Sequence, residues 1–418
     1  MKNTFLTFCL LFCLFSAKAV TFSTGESIRI SLLTCSPGPI AYEKFGHTAI
    51  RVVDEPNNLD IIFNYGLFSF QTDNFYYKFI KGETDYTLGV TTTTHFLPEY
   101  AMRNSSVKEQ VLNLTKEEKE HLLQALLVNY EPQNREYRYN FVYDNCSTRP
   151  RDMIMNSVDG VVIFSKGNSE LKTFRTYIEE YAGWNTWLMF GIDIVFGATA
   201  DGYATKMASM FLPEVLEMEF REAKIISPGK KGERNLISKE IVLVDGDDTV
   251  EDANKYMTIL FSPIIICALL LLIGMLLMFF DFKRKHRSKL FYSILFIVTG
   301  LAGVIIFYLS FISIHPLVRN NYNLLWLNPL NIVAGIILWF RSLRPILSYY
   351  LCANLIALIT FLFLLLFNIQ YVNVAFISLI ALLLFSSLHW ISYRKGGSIL
   401  MRLTNSKKQS GNRSRKRR

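Results

Sequence analysis

Two residues of this sequence have the side chains and the sequence context that nucleophilic catalysis by a thiol requires. Cys146 stands immediately before a predicted helix, close to Arg149 and Arg151. Backbone N–H groups at the start of a helix and nearby guanidinium groups lower the pKa of a thiol and favour the nucleophilic thiolate. A thiol nucleophile also needs a base, and His47 stands at the start of a predicted strand. The sequence therefore predicts that Cys146 and His47 form a catalytic pair.

Alternatives to this pair stay open at the level of the sequence. His121 lies on a charged helix face and His95 follows a threonine-rich strand, so both are typical of surface residues. Of the six cysteines, two belong to an amino-terminal leader and two to apolar spans, which leaves Cys35 and Cys146 for the exported part. A disulfide between these two is the structural alternative to a catalytic thiol. We expect no metal and no cofactor.

The amino terminus is typical of a secretory signal peptide. A lysine precedes the apolar run Phe5–Phe15, and small residues favour cleavage before Val20. The apolar run is shorter than the roughly 20 residues that a membrane span needs. We therefore expect residues 1–19 to be removed and residues 20–227 to form an exported catalytic domain.

Five apolar stretches predict an all-α, five-helix transmembrane region over residues 257–392, at 257–280, 290–313, 324–340, 345–367 and 374–392. The loops between them are alternately rich and poor in Lys and Arg. By the positive-inside rule, the exported domain then lies on the non-cytoplasmic side of the membrane, and the basic tail, 393–418, lies in the cytoplasm.

The charge of the chain is divided between these regions. Residues 20–256 carry 24 basic against 34 acidic residues, whereas residues 257–418 carry 18 basic residues against one acidic residue. The net charge of +9 therefore describes no single surface, and we expect no nucleic-acid partner.

The pattern of the exported part is typical of an α+β domain. A hairpin is predicted from His47–Asp54 and Asp60–Gly66, and Tyr86–Thr94 is rich in strand-forming residues. Thr115 and Glu118 form a capping box for a helix that is expected to reach about residue 130.

Three further segments have weaker patterns. Phe141–Tyr143 is predicted to be extended, and the helix after Cys146 has a proline in its first turn, where it is tolerated. Residues 171–222 are aromatic and amphipathic, which favours covering the core or lying against the bilayer. Residues 228–256 are rich in glycine and charge and are interpreted as a linker.

The segments that hold the two catalytic candidates, LLTCSPGPIAYEKFGHTAIRV and YNFVYDNCSTRPRDMI, resemble the Lnb family of bacterial lipoprotein N-acyltransferases. The resemblance extends to GIDIVFGATADGYA and, in the membrane region, to HPLVRNNYNLLWLNPLN. It implies that His47 and Cys146 are catalytic. The order of the two residues is similar to that of permuted papain-like folds, which include the NlpC-like and lecithin–retinol acyltransferase groups.

The resemblance implies a two-step acyl transfer. Cys146 would take an acyl chain from a phospholipid as a thioester, and the α-amine of a diacylglyceryl-cysteine apolipoprotein would then receive it. The expected partners are therefore the phospholipid donor, the apolipoprotein and the bilayer. Asn64, on the strand paired with that of His47, is a candidate to orient the imidazole, and Asn145 is a candidate for an orienting or oxyanion-binding side chain.

A polar loop is predicted on the same side of the membrane as the catalytic domain, at residues 314–323. One interpretation is an ordinary solvated loop. In the other, Arg319 holds a phospholipid phosphate and asparagines fix the headgroup or the substrate. His315, Arg319 and Asn321 are therefore candidate lipid- or substrate-binding residues, together with Arg149.

Two other functions use the same residues. A membrane-anchored peptidoglycan peptidase would apply the Cys–His pair to an amide, and would release peptide fragments from the cell wall. A non-enzymatic envelope sensor or assembly protein would keep its function when Cys146 is replaced.

Overall fold

The computed structural model describes residues 22–165, 172–229, 232–246, 255–284 and 288–392. The predicted signal peptide and basic tail lie outside these residues. An α+β part ends at residue 246 and a helical part begins at residue 255, so the predicted division into a mixed domain and a helical membrane region is confirmed.

A seven-stranded antiparallel sheet forms the centre of the amino-terminal domain. Its order is β10-β5-β1-β2-β3-β4-β6. The strands are β1 Ile28–Cys35, β2 His47–Asp54, β3 Leu59–Leu67, β4 Asp85–Thr92, β5 Val107–Leu112, β6 Glu136–Arg138 and β10 Ile237–Val244. A second sheet contains β7 Val161–Ile163, β8 Lys224–Ile226 and β9 Arg234–Asn235.

Helices cover both faces of the larger sheet. The helices of the domain are α1 Phe75–Lys81, α2 Thr93–Met102, α3 Lys116–Tyr130, α4 Thr148–Ser157, α5 Phe174–Ala182, α6 Trp187–Val195, α7 Lys206–Ser209 and α8 Pro213–Glu222. On one face, Ile50 and Val52 belong to the cluster that includes Leu122 of α3 and Ile154 of α4. On the other face, the cluster contains Ala49, Ile62, Phe96 and Tyr100. Alternate residues of β2 thus face different helices.

The predicted hairpin and helix starts are confirmed. β2 pairs with β3 in the register Ile50↔Phe63, and Asn58 takes a positive φ of 50° in the connecting turn. The Thr115 side chain accepts the N–H of Glu118 while the Glu118 carboxylate accepts the N–H of Thr115, so α3 begins with the expected capping box.

The predictions for two connecting segments are wrong. Phe141–Tyr143 forms a turn, because the Asn140 side chain accepts the N–H groups that a neighbouring strand would otherwise bind. The linker predicted at 228–256 contains β9 and β10, and β10 is the edge strand beside β5. Its charged residues, which include Lys239 and Glu240, are exposed at that edge, where charge protects a sheet from further pairing.

Within the described residues, four helices are long and apolar enough to cross a membrane: Pro263–Arg284, Lys289–Phe311, Arg341–Leu366 and Val374–Ser392. We label these helices α10, α11, α13 and α14 in chain order. Within the third span, the α-helix itself, α13, is Arg344–Leu366. A shorter helix, α9, precedes the first span at Lys255–Leu260. The third predicted span, 324–340, is not a continuous helix. It consists of a 3-10 turn, Tyr322–Leu325, an irregular segment with Pro329, and the short helix α12, Asn331–Ile337.

This interrupted segment lies against α11 along most of its length. Successive contacts join Ser310 to Val318, Gly303 to Leu327, Gly300 to Ile332, Ser293 to Gly335 and Lys289 to Trp339. An added Cβ at Gly303 would stand 2.1 Å from the Leu327 carbonyl oxygen, so only glycine permits this approach.

Buried polar contacts attach the amino-terminal domain to the membrane region. Arg175 of α5 binds Asp193 of α6 at 2.7 Å, and the other carboxylate oxygen of Asp193 accepts the Asn373 amide at 2.9 Å. The Asn323 amide donates to the Asp193 carbonyl oxygen at 3.0 Å. We call these residues, together with Asn321, the interface network. Part of the 171–222 segment therefore lies against the membrane region, whereas its predicted contact with the bilayer stays a prediction.

Candidate functional site

His47 and Cys146 line the same cleft, which has a volume of about 470 Å³ and lies at one end of the larger sheet. His47 is the first residue of β2, and Cys146 lies in the turn before α4. The neighbouring residues hold the two segments together, because the hydroxyl oxygens of Thr48 and Ser147 are 3.3 Å apart. The backbone N–H groups of Thr48 and of Cys146 itself act on the Cys146 sulfur and lower its pKa.

A glycine makes room for the thiol. The pairing of β3 with β4 shifts register between Asn64 and Leu67, and Gly66 in this irregularity has a φ of 93°. An added Cβ at Gly66 would touch the Cys146 Cβ at 3.4 Å. The bulge therefore brings the backbone of β3 close to the thiol and also sets the direction of Asn64.

Asn64 orients the imidazole. Its Oδ1 lies 2.6 Å from His47 Nε2. Since an amide oxygen only accepts hydrogen bonds, this contact places the imidazole proton on Nε2 and leaves Nδ1 as the acceptor. The sequence named Asn64 as the orienting candidate, and the geometry supports that role.

The pair is neutral near pH 7. Burial lowers the pKa of His47 to about 4, with a further lowering from the Arg103 charge, while the hydrogen bond to Asn64 acts in the opposite direction. Burial also raises the pKa of the Cys146 thiol to about 11, although the two backbone N–H groups lower it. The resting site therefore holds a protonated thiol and an unprotonated imidazole in the same cleft.

The expectation that Arg149 and Arg151 stabilise a thiolate is wrong. Arg149 forms a two-pronged pair with Asp144, at 2.6 and 2.9 Å, and its guanidinium lies over the Tyr137 ring. Arg151 binds Asp152 and a backbone carbonyl oxygen. The same pairing leaves Arg149 poorly suited to the substrate-binding role predicted for it.

Cys35 is not a disulfide partner of Cys146 in this structure. Both are free thiols. Cys35 lies directly opposite His47 in the β1–β2 register but is fully buried, and burial raises its pKa to about 12. An inaccessible, protonated thiol is inert, so Cys146 is the reactive candidate.

Asn145 shapes the turn and has no free donor for an oxyanion. Its amide nitrogen donates to the carbonyl oxygens of Phe141 and Phe211, both at 2.8 Å. Its Oδ1 accepts the N–H groups of Ser147 and Thr148 at the start of α4. The oxyanion role predicted for Asn145 is therefore wrong, because both of its donors are already used.

The polar loop is mainly structural. The Asn321 amide donates to the carbonyl oxygens of Ile194 and Val195, so the substrate-binding prediction for Asn321 is wrong for the same reason. His315 Nε2 donates to the Phe79 carbonyl oxygen at 2.8 Å and joins the loop to α1. Arg319 is exposed and does not line the cleft, so its lipid-binding role stays a prediction.

The cleft also contains groups that the sequence analysis missed. One wall is aromatic, and Phe68 stacks on Phe75 at 5.7 Å and on Tyr86 at 4.9 Å between ring centroids. On another side lie Arg103 and Glu43, paired at 2.7 Å. The density of aromatic residues between positions 63 and 79 is the sequence signal for the wall, but nothing in the sequence joins Glu43 to Arg103. In the part of the chain that is described, no cluster of three or more His, Cys, Asp or Glu side chains could hold a metal ion.

Comparisons with known proteins identify both parts of the chain. Residues 19–180 match a family model described as the Lnb N-terminal periplasmic domain. Residues 254–396 match a family model described as the Lnb transmembrane domain. No curated protein and no solved structure matches the chain.

Proposed function

Because the chain belongs to the Lnb family, we propose that it is a lipoprotein N-acyltransferase that uses Cys146 as nucleophile and His47 as base. The observation that carries this proposal is the Cys146–His47–Asn64 arrangement in an apolar cleft beside the membrane region. The donor is a phospholipid, and the acceptor is the α-amine of a diacylglyceryl-modified apolipoprotein.

In the first step, His47 Nδ1 takes the thiol proton as the Cys146 sulfur attacks the ester carbonyl carbon. The backbone N–H of Cys146 stabilises the negative charge that forms on the carbonyl oxygen. The ester C–O bond then breaks, and the imidazolium returns its proton to the departing glycerol oxygen. The products are a Cys146 thioester and a lysophospholipid.

In the second step, the acceptor amine attacks the thioester carbonyl carbon. His47 removes a proton from the attacking nitrogen, the C–S bond breaks, and the sulfur is protonated again. An amide replaces the thioester, and the resting thiol is restored. Because its pKa is low, His47 is neutral at physiological pH and free to accept a proton in both steps, but it is a weaker base than an imidazole of ordinary pKa.

We also propose the finer architecture on this basis. The domain is a permuted papain-like fold, supported by the base on an early strand and the thiol at the start of a later helix. The interrupted segment at 324–340 makes the fifth crossing, supported by its contacts along α11. The domain then lies outside the bacterial inner membrane and the carboxyl terminus in the cytoplasm.

The aromatic wall favours a lipid ester over a peptide, because it offers apolar area and few groups that could bind a peptide backbone. Mass spectrometry of a lipoprotein amino terminus, from cells with and without this protein, tests the function. We expect the mass of one additional acyl chain only when the protein is present. An unchanged amino terminus together with release of cell-wall peptides would replace the acyltransferase by the peptidase.

A further inference from the structure

The cleft has two unlike ends, one on each face of the larger sheet. Phe68 and Tyr86 pack with the core on the α3 and α4 face of the sheet. Tyr100, which precedes Arg103 at the end of α2, packs with the core on the other face. His47 and Cys146 line the same cleft as these residues, at the end of the sheet. A molecule that fills the cleft therefore meets aromatic rings on one side and a guanidinium on the other.

The aromatic end is joined to the membrane region. The backbone N–H of Ile314, just beyond α11, donates to the Lys81 carbonyl oxygen at 2.9 Å, and His315 binds the Phe79 carbonyl oxygen. Helix α1 carries Tyr76, which is 70% exposed, and Phe79, which is 49% exposed, and both line the cleft. Exposed aromatic residues on a helix beside a membrane span are suited to the headgroup level of a bilayer.

The charged end has an unsatisfied donor. Arg103 binds Glu43 through Nη1 at 2.7 Å and lies over the Tyr100 ring, 4.2 Å from its centroid. Its Nε is buried and has no hydrogen-bond partner among the described residues. A buried donor without a partner is costly, and such cases in native proteins call for an explanation. The part of the guanidinium that faces the cleft, rather than the buried Nε, is what an anionic group of a bound ligand can reach.

We propose that Arg103 binds the phosphate of the phospholipid donor while the acyl chain to be transferred lies along the aromatic wall. This inference rests on the proposed function and names the orientation in which the donor is held. In a bilayer the acyl chains point into the apolar layer and the phosphate lies above the ester groups. A donor with its chain beside α1 and its phosphate at Arg103 therefore presents an ester to Cys146.

The pairing with Glu43 suits this role. Two carboxylates face Arg103 Nη1, Glu43 at 2.7 Å and Glu99 at 3.9 Å, and the ring of Tyr100 supports the face of the guanidinium, so little ordering is needed when a phosphate binds. Since Glu43 uses Nη1 alone, other N–H groups stay available for an oxygen of a phosphodiester.

The test measures thioester formation at Cys146 by intact-protein mass spectrometry, with the full-length protein in detergent. Two donors with identical acyl chains are compared: phosphatidylethanolamine and diacylglycerol, which lacks the phosphate. We expect wild-type protein to prefer the phospholipid, and Arg103→Gln to lower the rate with phospholipid by about 10- to 100-fold, as expected for the loss of a charge-assisted hydrogen bond. The rate with diacylglycerol should change much less, and only through the effect of the Arg103 charge on the pKa of His47.

Several controls make the result decisive. Arg103→Lys should retain part of the preference, and a small soluble thiol probe should still label Cys146 in Arg103→Gln, which shows that the site is folded. Arg138→Gln removes an exposed guanidinium outside the cleft and should change neither rate. Equal loss with both donors in Arg103→Gln, or loss of the preference in Arg319→Gln alone, overturns the assignment to Arg103. If wild-type protein forms no thioester with either donor, the proposed function fails as well.

The aromatic end has its own test. Tyr76→Glu places a charge on the path of the acyl chain, so we expect slower thioester formation from a long-chain phospholipid and an unchanged rate from a short-chain soluble thioester. Tyr203→Glu is the matched control, since Tyr203 is also 70% exposed but does not line the cleft. Equal rates for wild-type and Tyr76→Glu protein with the long-chain donor would overturn this half of the inference.

Discussion

The cleft and the interface network both gather polar side chains beside the membrane region, but they differ in how much hydrogen-bonding capacity is already used. In the interface network the amides of Asn321 and Asn323 each donate to two carbonyl oxygens. Arg175 binds the carboxylates of Asp193 and Asp201 and a backbone carbonyl oxygen. A cluster in which the donors are already bound holds elements together and has little left for a substrate.

The cleft retains groups that can act. His47 has one ring nitrogen bound to Asn64, and no described residue is a partner of the other. The Cys146 thiol is only partly buried. Arg103 keeps an unsatisfied Nε. Polar density alone thus does not locate a functional site, whereas unused donors and acceptors in a cavity do.

The largest expected effect comes from removing the nucleophile of the cleft, the Cys146 thiol. Cys146→Ser should lower acyl transfer by about a thousandfold or more, because a hydroxyl beside a base of such low pKa is a far weaker nucleophile. Cys35→Ser should keep most activity, since the Cys35 thiol is buried away from substrate. Transfer is measured by lipoprotein mass spectrometry and folding by thermal unfolding. Equal loss of folding in the two variants would favour a structural role for both cysteines.

The second effect breaks the interface network. In Arg175→Met the Asp193 carboxylate, whose side chain is 1% exposed, would lose its ionic partner inside the protein. Removing one member of a buried pair costs about 3–5 kcal/mol in unfolding free energy. Denaturant unfolding of the purified protein in detergent should show this loss. Lys172→Met is the control, because the Lys172–Glu180 pair is exposed and should contribute less than about 1 kcal/mol. Similar stabilities for the two variants would contradict the proposed role of the network.

The third prediction tests whether Asn64 acts by positioning the His47 imidazole, without taking part in the reaction itself. Asn64→Ala removes the acceptor that fixes the His47 tautomer, so we expect the rate of thioester formation to fall by about 10- to 100-fold with little change in donor KM. A structural defect would change KM and the unfolding midpoint as well. Asn64→Asp keeps an acceptor oxygen, and recovery of part of the rate there would show that orientation is what was lost.

Local patterns made much of the fold predictable from the sequence. The β2–β3 hairpin and the α3 capping box depend on residues close together in the chain, and both are confirmed. The edge strand β10 was missed because its stability comes from pairing with β5, more than a hundred residues earlier, and its charged composition is typical of a linker. Tertiary pairing overrides local propensity in such cases.

The sequence predicted which candidate residues meet in the cleft, but it did not predict their electrostatics. Residue type and context were enough to name Cys146, His47 and Asn64. The sequence could not show that Arg149 is held by Asp144 or that the Asn321 amide is already bound, because those facts depend on side-chain direction. Arg103 was missed since only folding brings the end of α2 to the cleft that contains His47.

The smallest expected effect is the pH dependence of thioester formation. It tests the difference in charge between the interface network and the catalytic pair. The interface network carries its charge as a buried ion pair, whereas the catalytic pair of the cleft is neutral. With His47 at a pKa of about 4 and Cys146 at about 11, thiol and free base coexist throughout the range between them. Thioester formation should therefore change by less than about twofold between pH 5.5 and 8.5. Transfer to the acceptor should instead rise with pH up to about 8, where an α-amine loses its proton. Stopped assays of the two steps separate them, and an acid limb near pH 6.5 in thioester formation would show that the pKa of His47 is not lowered.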